Sequence, residues 1–170
     1  MKTLMRCVLV GVVAVMMVGA AQAEMKIGVG YQGLLPGDIM NGVSGRAWMG
    51  ALGADVNLFQ ASASIEDEDA DALILEGRGM LTLFELQQSK FFVGGLLGVG
   101  TMEVGNEDVD LWSFGGFFGT EFYLQGLPEL GFAWEVGYNF VNAEADDVEM
   151  DFNGVIVILG VHYYPEMLNM

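Results

Sequence analysis

The chain of 170 residues holds one cysteine, one histidine, three prolines and six basic residues. Each shortage excludes something. A single cysteine, Cys7, permits no disulfide framework, and one histidine beside it leaves no nitrogen and sulfur set for a zinc site. Six bases against 23 acids give a formal charge of −17, which removes the basic face that a nucleic-acid partner requires. Three prolines beside 25 glycines fit neither collagen nor a proline-rich linker. Beyond residue 23 no stretch of about 18 residues is free of charge, so no transmembrane helix is expected. The apolar content of 53% excludes disorder, and the length suggests one domain.

Residues 1–23 read as an address. Lys2 and Arg6 form a basic start, Val8 to Val18 an apolar run too short for a span, and Ala21-Gln22-Ala23 a small-x-small cleavage site. That is a secretory signal peptide for the Sec pathway, cut before Glu24. Cys7 goes with it and lies too early to be a lipoprotein cysteine. What remains carries four bases, Lys26, Arg46, Arg78 and Lys90, against all 23 acids.

The remaining chain alternates with period two. From Phe132 to Phe140 every even position is large and apolar, and every odd one small or polar. Trp112, Phe114, Phe118, Phe122 and Leu124 oppose Ser113, Gly115, Gly119 and Glu121. Such runs predict eight strands, at about 25–33, 43–50, 52–63, 72–86, 90–102, 111–125, 131–142 and 152–164. Val155 to Leu159 is apolar on both faces, which leaves the orientation of the last strand open. Many of the eight reach the 9–11 residues that a tilted membrane strand needs. Short connections near residues 49–52, 87–89 and 126–130 alternate with four longer or acidic ones, near 34–42, 64–71, 103–110 and 143–151. In an up-and-down barrel these fall at opposite ends, and fifteen of the 23 acids gather at the second.

With Gly126-Leu127-Pro128-Glu129-Leu130-Gly131-Phe132 as a turn entering a strand, and Gly160-Val161-His162-Tyr163-Tyr164 closing the last, the chain resembles the small outer-membrane β-barrels of Gram-negative bacteria, of the OmpX and OmpA-barrel kind. The resemblance implies an all-β, eight-stranded antiparallel transmembrane barrel over residues 24–164 with a short tail, 165–170. It implies outer-membrane lipid and the barrel-insertion machinery as partners and a monomeric state. The family usually ends on an aromatic residue, whereas this chain continues past Tyr164.

The charges suggest where chemistry could sit. Lys26, Arg46, Asp55, Glu76, Arg78, Glu121 and Glu135 share the small and polar face, and an inward charge network is expected, with Glu121 and Glu135 held by Arg46 or Arg78. Trp112, Trp134, Tyr138, Tyr163 and Tyr164 are expected in aromatic girdles at the membrane interfaces, and His162 beside them. Glu66, Asp67, Glu68, Asp69 and Asp71 are oxygen donors without the spacing of an EF-hand; they read as a solvated loop that collects divalent cations diffusely. The glycine run at 94–100 lacks a phosphate-loop lysine. A charge at Phe118 is expected to be far more harmful than one at Gly119. No catalytic constellation emerges, so no enzyme and no cofactor are expected. Three functions fit: a structural or surface-interaction barrel, a narrow channel for small solutes, or a soluble lipocalin-like carrier of an apolar ligand.

Overall fold

The computed structural model describes residues 25–35, 40–65, 68–104, 107–145 and 148–165. The signal-peptide expectation for residues 1–23 lies outside them, as does most of the tail. The described chain is a closed barrel of eight antiparallel strands, each paired with its neighbours in sequence and the last with the first. The strands are β1 Met25–Leu35, β2 Asn41–Met49, β3 Leu52–Ile65, β4 Glu68–Leu86, β5 Ser89–Val104, β6 Glu107–Leu124, β7 Leu127–Ala145 and β8 Val148–Tyr163. Closure removes every free sheet edge, which is what allows a sheet to stand in a medium that offers no hydrogen bonds.

All eight expected strands are present, but their ends differ. Three tight turns close one end, at residues 50–51, 87–88 and 125–126. Gly50 (φ 58°) and Gly126 (φ 94°) supply the left-handed backbone of two of them. The third turn is therefore at 125–126, with Pro128 already inside β7. At the opposite end, the described parts of the acidic segments after β3, β5 and β7 are strand. β4 begins at Glu68, β6 at Glu107, and β7 and β8 run to Ala145 and from Val148. Asp71 pairs with Glu103, Glu103 with Asp108, and Asp110 with Glu144. Pairing continues because each hairpin register is already fixed lower down, and extending it satisfies backbone groups that would otherwise need water.

The alternation sorts the two faces. Ile27, Val29, Val43, Leu58, Leu75, Leu97, Phe118, Phe140 and Leu159 are exposed on the outer wall. Arg46, Asp55, Asn57, Glu121, Glu135 and His162 are buried inside. In β8, Ile158 is buried whereas Val155 and Leu159 are exposed, which settles the orientation that apolarity alone left open. Two irregularities interrupt the ladder, one at Thr82/Phe84 in β4 and one at Tyr123/Leu124 in β6. The first lets Leu83 and Phe84 both face outward.

Inward glycines make room for rings. A Cβ on Gly28 would lie 2.7 Å from the Tyr164 ring, and one on Gly53 would lie 2.5 Å from Trp48. The narrow lumen is packed by such pairings, with Trp48, Met80, Phe92, Leu96 and Phe117 forming its apolar part.

Candidate functional site: the charged lumen and the acidic end

Neighbouring strands deliver the lumen charges. Asp55 is paired with Arg46 on one side and Arg78 on the other, so β2, β3 and β4 place two arginines around one carboxylate. Arg46 donates from Nε (3.0 Å) and Nη2 (2.7 Å) to Asp55 Oδ2, and from Nη2 to Glu135 Oε1 at 2.6 Å. Arg78 reaches the other oxygen of Glu135 at 2.6 Å, Gln32 Oε1 at 3.1 Å, and Glu76 through Nε. Glu135 thus bridges both guanidiniums across the barrel. The arginine planes also lie against rings: Arg46 over Phe92 at 5.7 Å, and Arg78 over Phe117 at 5.4 Å.

Two arginines face four carboxylates, and Glu121 is the one served differently. Its Oε1 is 3.6 Å from Arg46 Nη1 and 3.4 Å from His162 Nδ1. It accepts hydrogen bonds from Trp48 Nε1 (3.0 Å), the Tyr123 hydroxyl (3.0 Å) and the Tyr164 hydroxyl (2.7 Å). Three uncharged donors take the place of a second dedicated cation, as a buried carboxylate requires. Glu121 and Glu135 are not directly opposite each other: Glu121 pairs with Ala133 and Glu135 with Gly119. The diagonal offset leaves Arg46 within reach of both. Gln32 and Ser44 complete the cluster, both contacting His162 Nε2, at 3.2 and 2.9 Å.

Several expectations need correction. Tyr164 is not at an interface; it is buried in the lumen, because Gly28 opens space for its ring and Glu121 takes its hydroxyl. His162 is likewise fully buried and faces the lumen. Lys26 has inward parity but sits exposed at the turn end, beside Glu85, Tyr123 and Tyr164, and is in no ion pair found among the described residues. Lys90 is the lysine that turns in, with Nζ 4.4 Å over the Trp48 ring and 3.8 Å from Glu85. Trp112, Trp134, Tyr138 and Tyr163 do face outward. Trp134 is the eighth of nineteen residues in β7, inside the apolar band rather than at its edge, in edge-to-face contact with Phe118. Gly119 is itself tightly enclosed, since a Cβ there would meet Glu135 Cγ and the Trp134 carbonyl oxygen at 2.8 Å.

At the acidic end, Glu66 and Asp67 lie outside the described residues. Glu68 and Asp69 belong to β4, and Asp71 is exposed and accepts a bond from Ser62 Oγ at 2.6 Å. No group of three donors able to hold a metal occurs among the described residues.

Sequence reasoning missed Gln32, Ser44, Trp48, Asn57, Lys90, Tyr123 and His162 as partners in the lumen. For Gln32, Ser44, Trp48 and Asn57 the signal was available, because they sit at every second position with Arg46 and Asp55 or on the same face of β1.

One solved structure agrees with this fold. The crystal structure of Neisserial surface protein A superposes with a TM-score of 0.58 at 14% identity, over 84% of this chain and 99% of that one. The fold is that of a small outer-membrane barrel. The crystal structure of Ail, the attachment invasion locus protein of Yersinia pestis, also aligns, with a TM-score of 0.41 and 15% identity over 84% of this chain and 98% of that one. No protein-family model and no curated protein matches the chain.

Proposed function

We propose that this protein is a non-conducting outer-membrane barrel of a Gram-negative bacterium that carries its acidic strand extensions on the cell surface, in a structural or surface-interaction role. The observation that supports it most is the lumen: Glu135 ties Arg46 to Arg78 straight across an interior that eight strands leave only wide enough for side chains. The outer wall is exposed and apolar while the charges are inside, the reverse of a soluble carrier for an apolar ligand. Lipid and the barrel-insertion machinery are the partners this reading implies, and export through the Sec pathway its route. The three tight turns, with the start of β1 and the end of β8 beside them, would face the periplasm. Carbonate-resistant pelleting with the outer membrane, faster migration on unboiled gels and no unitary current in planar bilayers are expected. Steady currents from wild-type protein would return the narrow-channel reading, and a soluble periplasmic pool would return the carrier.

A further inference from the structure

At the turn end, β8 stops before its neighbours do. β1 starts at Met25 and β7 at Leu127, whereas β8 ends at Tyr163, paired with Val29 on one side and Leu130 on the other. One more bond, from Tyr164 N to Glu129 O at 2.7 Å, carries the chain towards the rim. Beyond it, residues 25–27 of β1 and 127–128 of β7 flank a slot one strand wide. Tyr164 bonds to β7, so by the alternation of an antiparallel ladder Tyr163 bonds to Val29, and Ile27 turns its backbone groups into the slot. The slot borders a cavity of about 170 Å³ at the mouth, lined by Lys26, Glu85, Tyr123, Pro128 and Tyr164 among others. Lys26 is exposed there and is in no ion pair among the described residues, whereas Arg46, Arg78 and Lys90 each have a carboxylate partner.

We infer that residues 165–167 of the chain itself fill this slot as a ninth row of the β1–β8 ladder and its continuation, and that Glu166 pairs with Lys26 to close the mouth. Carried on in its own register, β8 sets Pro165 opposite Ile27 and Glu166 opposite Lys26. Tyr164 already keeps that register, since a Cβ on the facing Gly28 would lie 2.7 Å from its ring. Glu166 and Lys26 then share the inward parity of Tyr164 and Gly28. They face each other as a non-hydrogen-bonded pair, the kind whose side chains come closest, and their charges are opposite. Pro165 has no N–H for the Ile27 carbonyl, which costs one ladder bond, but its own carbonyl can still accept from Ile27. That bond is lost at the rim, where Pro165 and Ile27 are exposed and water can replace it. A strand from another protein could fit the same slot. The tail is already tethered beside it, and tethering gives it the higher effective concentration. The inference does not depend on the surface role proposed above.

The test uses the protein from residue 24 onward, folded in detergent micelles, which holds no cysteine of its own. Lys26→Cys/Glu166→Cys is expected to oxidise in air to an internal disulfide, read as a changed band on non-reducing gels. Lys26→Cys/Met167→Cys places the second thiol one residue on and facing the other way, and is expected to cross-link roughly tenfold more slowly. The wild-type protein gives a second reading without cysteines. A carbodiimide should join Lys26 to Glu166 through an amide, with loss of water, identified by mass spectrometry after digestion. Equal rates for the two cysteine pairs, no disulfide in either, or coupling of Lys26 to Glu85 alone would overturn the inference. Should a cysteine variant not fold, as judged by migration on unboiled gels, the carbodiimide product decides.

Discussion

Glu135 is the residue on which the interior turns, because each of its oxygens holds a different arginine. Replacing it by glutamine keeps the shape and removes the charge, so both guanidiniums lose a partner in a site from which water is excluded. Arg46→Ala strips Asp55 and Glu135 of a cation and is expected to destabilise the barrel by about 3–5 kcal/mol in urea unfolding from lipid vesicles. Arg46→Lys should recover only part of this, since an ammonium cannot reproduce the fork that spans Asp55 and Glu135. Unchanged stability in Arg46→Ala would mean that the network adds nothing to folding. Positions 118 and 119 test the two faces by separate mechanisms. Phe118→Lys puts a charge into lipid, at roughly 2–4 kcal/mol if it lies near the midplane. Gly119→Ala adds one methyl where Glu135, Trp134 and Phe92 already close the space, so it too should lower stability, but by overpacking the lumen. An alanine at 119 without measurable effect would show that the lumen has slack there.

Strands were legible where alternation was strong, and the lumen charges came with them. Arg46, Asp55, Glu76, Arg78, Glu121 and Glu135 could be placed inside because period two assigns a face to each position without any knowledge of contacts. The alternation weakens in two kinds of element. In β8 both faces are apolar, so nothing in Gly160 to Tyr164 told His162 and Tyr164 from outward residues; the glycines that admit their rings are on β1 and β7. In Asp69-Ala70-Asp71-Ala72 and Glu107-Asp108-Val109-Asp110 alternation persists, but acids have poor strand propensity and so read as loop. They are strand because the hairpins beneath them fix the register. That gives a test at the β3–β4 hairpin. Ser62 pairs with Asp71, so replacing residues 63–70 by Asn-Gly should close a two-residue turn on that pair. The shortened protein is expected to keep its faster migration on unboiled gels, and its loss would make the extension part of the folding core. Within β4, deleting Leu83 should be tolerated, because it is the extra residue of the irregularity and its removal leaves Thr82 inward and Phe84 outward. Deleting Leu75 should abolish folding, since it turns either Ile74 or the Glu76–Arg78 segment to the wrong face.

At the scale of the whole molecule, the barrel holds most of its few cations inside, with four carboxylates, and gathers acids without bases at one end. Arg46, Arg78 and Lys90 are buried, and among the described residues Lys26 is the remaining base, at the turn end. The rim is therefore acid against acid: Asp71 opposite Glu103, Glu103 opposite Asp108, Asp110 opposite Glu144. Like charges directly across a ladder repel, and these side chains stand in water, where salt screens them. Stability should consequently rise as sodium chloride goes from about 10 to 150 mM, over which the screening length falls from roughly 30 to 8 Å. The gain should shrink in Asp71→Asn/Asp108→Asn, which relieves both neighbours of Glu103. Divalent ions should stabilise more than sodium at equal ionic strength, because each neutralises two carboxylates. Magnesium and calcium should do so alike. Selection between them needs a cage of fixed size and ligand number, and the paired rim has facing carboxylates on separate strands but no group of three donors among the described residues. A calcium response at micromolar concentration that magnesium does not share would mean that the rim closes into a formed site.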